Sequence, residues 1–187
     1  MKYNEAETLL AIRQLLVQGF GVDIEDPHYK ETPDRVARMY KELFSPPANN
    51  LKAFDLPPDA AKRAGIVLLR HHRAFGVCPH HLLPFEMSAN VAYIPGHKVF
   101  GLSKLARAVE SQLSAPILQE ELTQAIVDML VSELDPKAAG CVIAGVHGCM
   151  RCRGVKSTGD VVTSNMYGQF LLNPAAREEL FQLIGDV

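Results

Sequence analysis

The chain has 187 residues, 48% of them hydrophobic, and a formal net charge of −2. That length can bury one sizeable core and is short for two, so a single domain over residues 1–187 is expected. The near-balanced charge argues against bulk attraction to nucleic acid or an anionic membrane, and any anion site must be a local group of cations.

Residues 1–20 mix Lys2, Glu5, Glu7 and Arg13 into their apolar positions, unlike the continuous apolar block of a signal peptide. Four cysteines without such a block fit a reducing compartment, the cytoplasm, where thiols bind metal or pack. Residues 6–19 carry Leu9, Leu10, Ile12, Leu15, Leu16 and Val17 at helical spacing, which predicts an amphipathic helix stopped by Gly19. Thr32-Pro33-Asp34-Arg35 offers an N-cap hydroxyl and a proline at the first helical position, which predicts a second helix over 33–44.

Residues 45–58, with Pro46, Pro47, Asn49, Asn50, Pro57 and Pro58, read as one long loop. Residues 65–69 and 87–94 read as strands that bracket Cys78-Pro79-His80-His81 and leave it in a loop. Helical patterns follow over 103–112 and 115–133, interrupted around Ser114-Ala115-Pro116. Residues 140–146 and 161–163 read as short strands, and 174–184 as a closing helix. Strands segregated from helices predict an α+β fold, an antiparallel sheet with helices packed on one face. An N-terminal helical segment (1–45) precedes the core (65–187).

Cys78 and His81 stand three residues apart in the predicted loop, so one turn can present a thiolate and an imidazole to the same ion, a pairing that favours zinc. Cys149 and Cys152 repeat the spacing. Spacing alone allows either a closed Cys₃His structural site or a three-ligand site with an open position. His80 and His147 are surplus to a four-ligand site and suggest proton transfer beside a metal. Ser103, Lys104, Arg107, Arg151 and Arg153, with Arg35 and Arg38 on the second helix, suggest an oligophosphate site, because guanidinium forks match phosphate oxygens. Gln119-Glu120 pairs an amide with a carboxylate that could read a guanine edge, although the pattern by itself reads as a helix surface.

Taken together, these residues resemble GTP cyclohydrolase I of the zinc-dependent, tunnelling-fold type, from about Asp26 to Phe170. The likeness is carried by Glu31-Thr32-Pro33-Asp34-Arg35-Val36-Ala37-Arg38-Met39-Tyr40, Cys78-Pro79-His80-His81-Leu82-Leu83-Pro84-Phe85, Gly101-Leu102-Ser103-Lys104-Leu105-Ala106-Arg107, Leu118-Gln119-Glu120, and the stretch from His147 to Val155. The resemblance implies Zn²⁺ on Cys78, His81 and Cys149, with Cys152 outside the ligand set. It implies attack of water at C8 of GTP, with His147 and His80 as the proton-transferring catalytic residues, release of formate and formation of 7,8-dihydroneopterin triphosphate. Gln119 and Glu120 would hold the guanine and Ser103 would lie near the purine. Lys104, Arg107, Arg153, Arg35 and Arg38 would hold the triphosphate. It also implies a homo-decamer with active sites between subunits, serving pterin or folate synthesis.

Four places depart from the family pattern: Pro79 stands where Glu is usual, Gly76 and Val77 replace small hydroxyl residues, Ala115 replaces a basic residue, and the turn after Gly154 is one residue shorter. Three other readings stay open at this level. One is a paralogue acting on a different purine nucleotide or stopping at the ring-opened intermediate. The others are a non-catalytic zinc- or pterin-binding protein closed by Cys152, and a nitrile reductase of the same fold, which would need a nucleophilic cysteine and an NADPH site instead of zinc.

Overall fold

A computed structural model describes residues 3–45, 51–113 and 115–185. The chain forms two compact units, Met1–Pro46 and Pro47–Val187.

The first unit is a helix pair. Helix α1 (Glu5–Gln14) starts where the Asn4 side chain accepts from the Glu7 N–H, and Glu5 and Glu7 sit in its positively polarised first turn. It runs on as a π-helical turn, Leu15–Gly19. Helix α2 (Thr32–Leu43) begins one residue earlier than an N-cap threonine allows, because the Thr32 hydroxyl donates to the His28 carbonyl (3.3 Å) instead of capping. A Lys41–Glu5 ion pair (2.7 Å) and the Tyr3 hydroxyl on the Ala37 carbonyl join the two helices.

The second unit is built on a four-stranded antiparallel sheet, order β2-β3-β5-β6, from β2 (Val67–Val77), β3 (Pro84–Ile94), β5 (Ala138–His147) and β6 (Val161–Gly168). A separate two-stranded ribbon pairs β1 (Ala53–Asp55) with β4 (Lys98–Phe100). The helices are α3 (Pro58–Arg63), α4 (Leu102–Ser111), α5 (Gln119–Leu134), the one-turn α6 (Gly148–Arg151) and α7 (Gln169–Leu172), and α8 (Pro174–Ile184).

Strand alternation sorts the side chains into two layers. Phe85, Met87, Ala89, Val91 and Tyr93 of β3, with Ala139, Cys141 and Ile143 of β5, pack under Leu105 and Val109 of α4 and Leu122, Ile126 and Leu130 of α5. The opposite positions Ala92, Ile94, Ala138 and Val142 pack against Phe170 of α7 and Leu180 and Ile184 of α8. The fold is therefore α+β and antiparallel as expected, but helices cover both faces. The expectation of one face holds for α4 and α5 and is corrected for α7 and α8. The apolar part of the second face lies toward the Ile94 end of β3, since the positions before Ala92 on that face are the exposed Pro84 and Glu86, the half-buried Ser88 and the buried but polar Asn90.

Other boundaries moved for local reasons. Strand β2 runs eight residues beyond residue 69 through a bulge between Leu69 and His72, where His71 has φ 54° and its N–H donates to the Asn90 side chain (2.9 Å). The polar run from Arg70 to Arg73 hides that continuation from an alternation reading. Strand β1 falls inside the predicted long loop, and Pro58 opens α3; Pro46, Pro47, Asn49 and Asn50 of that loop, and Ser114, lie outside the described residues. Among the described residues no helix is long and apolar enough to cross a membrane.

Candidate metal centre and adjoining pocket

Residues 78–83 form a tight turn between β2 and β3. The Cys78 N–H donates to the Leu83 carbonyl and the Leu82 N–H to the Cys78 carbonyl, both at 2.9 Å, and Leu82 takes φ 52°. Neither bond uses the amide of residue 79, so Pro79, which has no N–H, is accommodated there without loss of a turn hydrogen bond. The Val77 carbonyl accepts from the Ile117 N–H (3.0 Å), which ties the turn to the segment entering α5.

Register brings the second half of the site to the same end of the sheet. Phe85 pairs with His147, and α6 follows directly with Cys149. The ligand atoms of Cys78, His81 and Cys149 all lie within 4.8 Å of one another. Two thiols and an imidazole at that separation suit a borderline or soft divalent ion. Burial pushes the Cys149 thiol up, and the charge of Cys78 and a hydrogen bond between the two thiols act the same way. A cation held between them has the opposite effect, favouring both thiolates.

Cys152 is not part of this group. It is exposed, and its Sγ donates to the Gly148 carbonyl at 2.9 Å. The group that converges is thus Cys78, His81 and Cys149, with the Cys152 thiol turned onto a backbone carbonyl.

Beside the three ligands lies a pocket of about 180 Å³ with His80, Gln119, Glu120 and His147 in its wall. The His147 ring stacks on Phe85 (centroids 4.6 Å, planes 15° apart), and its Nε2 lies 2.8 Å from Gln119 Oε1. Burial lowers the His147 pKa and the Glu120 carboxylate opposes that shift. Two glycines make the packing possible by close approach. A Cβ at Gly76 would stand 2.2 Å from the Phe85 ring, and one at Gly145 would stand 2.1 Å from Gln119 Oε1. His80 is exposed, its Nδ1 4.0 Å from Cys78 Sγ.

Gln119 departs from the surface reading. It is only 2% exposed, and its amide donates to the Ile143 carbonyl (3.1 Å), the Val161 carbonyl (2.8 Å) and Thr163 Oγ1 (3.1 Å). Ser103, Lys104 and Arg107 sit on the first two turns of α4, and Arg153 is exposed just after α6; none is in the pocket wall. Arg35 pairs with Glu31 (2.7 Å) and Arg38 Nε donates to the Asp34 carbonyl (3.4 Å), both within the first unit. Gly145, Thr123 and Thr163 went unnoticed as site residues in the sequence, whereas Phe85 stood out there only as part of a motif and Gly76 only as a departure from the family pattern. Strand register and the packing of α5 on the sheet give them their roles, since each acts through a partner on another element.

The family model described as GTP cyclohydrolase I matches residues 10–185. A GTP cyclohydrolase 1 of Aquifex aeolicus (strain VF5) is 41% identical over 188 residues, covering 100% of both chains. One of Hydrogenobaculum sp. (strain Y04AAS1) is 38% identical, covering 96% of this chain and 98% of the relative. A crystal structure of the archaeosine synthase QueF-Like in the apo form is 20% identical, with a TM-score of 0.46 over 56% of this chain and 94% of that one.

Proposed function

The chain belongs to the GTP cyclohydrolase I family, and from that premise we propose that it hydrolyses the imidazole ring of GTP at C8, releases formate and forms 7,8-dihydroneopterin triphosphate. The observation that carries this reading is the convergence of Cys78, His81 and Cys149 within 4.8 Å beside a pocket walled by His147, Gln119 and Glu120. We take the metal to be zinc. Cys78, His81 and Cys149 would hold it, and it would supply a Lewis acid that activates water near neutral pH.

The chain's own residues have separable tasks. His147, whose pKa burial lowers and whose ring lies flat against Phe85, can take up or deliver a proton at the purine ring. His80, exposed beside Cys78, is suited to exchange protons with solvent during the later ribose rearrangement. The Glu120 carboxylate can accept from the ring and exocyclic N–H groups of guanine. Ser103, Lys104, Arg107 and Arg153, with Arg35 and Arg38, are proposed to meet the purine side and the triphosphate.

A pocket of about 180 Å³ has room for a heterocycle and falls below the size usual for a whole drug-sized ligand. This supports a homo-oligomer, a decamer in the family pattern, in which neighbouring chains complete each site. The family match crosses the boundary between the two compact units, which supports one GTP cyclohydrolase I-like tunnelling-fold domain over 1–187, helices in 1–45 and catalytic core in 65–187. We place it in the cytoplasm.

Zinc-loaded protein incubated with GTP should release formate and build up fluorescent pterin in equal amounts. Formate without pterin, or faster consumption of another purine nucleotide, would move the assignment to a paralogue with a different substrate or end point.

A further inference from the structure

The direction of each hydrogen bond around Gln119 follows from its neighbours. The Thr123 hydroxyl donates to the Gln119 backbone carbonyl (2.7 Å), so in its 2.6 Å contact with Thr163 the hydrogen must come from Thr163. Thr163 Oγ1 is then left as an acceptor for the Gln119 amide, beside the Ile143 and Val161 carbonyls, which can only accept. Three acceptors around one end of the side chain fix it as the NH₂ end. Flipping the amide would set Oε1 against the Ile143 and Val161 carbonyls, neither of which can donate, a costly arrangement. Oε1 therefore faces His147 Nε2 at 2.8 Å, and that nitrogen must carry a hydrogen.

We infer that Gln119 is a positioning residue whose anchored amide oxygen accepts from His147 Nε2–H and holds the ring in that orientation, so that a ring with one hydrogen carries it on Nε2 and Nδ1 is its acceptor nitrogen. This rests on the proposed cyclohydrolase reaction for its consequence, though not for its geometry. It also changes the part assigned to Gln119. The two amide hydrogens are shared among Ile143, Val161 and Thr163, so the guanine edge falls to Glu120, which is exposed and lines the pocket. Gly145 belongs to the same device, since a side chain there would meet Oε1. A chain of hydrogen bonds all running one way also reinforces itself by polarisation.

The test reads the tautomer directly. In ¹⁵N-histidine-labelled protein at alkaline pH, long-range proton–nitrogen correlation should show His147 protonated at Nε2. An Nδ1–H ring in the wild-type protein overturns the inference without any variant. Gln119→Leu should let the Nδ1–H form appear and lower kcat by about 100-fold, the scale of a lost acid–base group, while KM for GTP changes less than about threefold. A raised KM with kcat and tautomer unchanged would show Gln119 to be a base reader instead. Should Gln119→Leu not fold, Gln119→Met is read in the same way, since it also lacks the acceptor facing Nε2, and a ring that stays wholly Nε2–H in it would overturn the inference. The tautomer needs no turnover, so a protein inactive on GTP still answers this question, and the formate assay answers the other.

Discussion

The site is decided by a few contacts at single residues. Cys149 converges with Cys78 and His81, whereas Cys152 turns its thiol onto the Gly148 carbonyl. Cys149→Ser should therefore lose most of the bound zinc, measured by metal analysis after dialysis, and Cys152→Ser should keep it. Zinc loss in the second variant would restore the closed four-ligand site. Gly76 matters for a different reason. The Phe85 ring occupies the space a Cβ would need, and the same ring carries His147. Gly76→Ala should cost about 1–3 kcal/mol of stability from overpacking and lower turnover by tilting the histidine, while zinc content stays near wild type. An unchanged unfolding midpoint would contradict that packing account.

At the scale of elements, the site sits where three chain ends meet: the turn leaving β2, the first residue of α5 and the end of β5. Helix α5 is long and fully packed on one sheet face, with Leu122, Ile126 and Leu130 at 0% exposure, so its first turn is fixed relative to β5. The other face depends on shorter elements. Phe170, on the four-residue α7, is 0% exposed and joins α8 to β5. Phe170→Ala should destabilise the protein by about 3–5 kcal/mol through the cavity it leaves, seen as a lower denaturant midpoint. A loss below about 1 kcal/mol would mean that α7 and α8 add little to the second layer.

For the whole molecule, the net charge of −2 means that a triphosphate must be met by placed cations and not by a general field. Lys104 and Arg153 lie outside the wall of the pocket in the chain that carries the metal ligands. If oligomerisation completes the site, these cations still bind the triphosphate. Replacing Arg153 or Lys104 by Ala should then weaken GTP by about tenfold or more, the scale of a charged hydrogen bond, and leave guanosine binding nearly unchanged. Equal losses for both ligands in equilibrium binding would remove these residues from phosphate recognition.

What the sequence determined by itself was the chemistry available and the coarse order of elements. The spacing of Cys78, His81 and Cys149, the surplus His80 and His147, and helices such as α8 are local signals, carried by residue type and by periodicity over one or two turns. The family motifs named Gln119 and Glu120, but nothing local distinguished the buried amide from the exposed carboxylate beside it. The choice between a three-ligand and a closed four-ligand site was also left open, since Cys149 and Cys152 are equivalent by spacing. Tertiary structure separates the members of each pair, burying Gln119 beside an exposed Glu120 and grouping Cys149, without Cys152, with Cys78 and His81. Antiparallel register sets Phe85 against His147, and packing of α5 on β5 and β6 drives Gln119 among Ile143, Val161 and Thr163. Those partners lie 24 to 44 residues away along the chain, and only a folded sheet brings such distant donors and acceptors within hydrogen-bond reach.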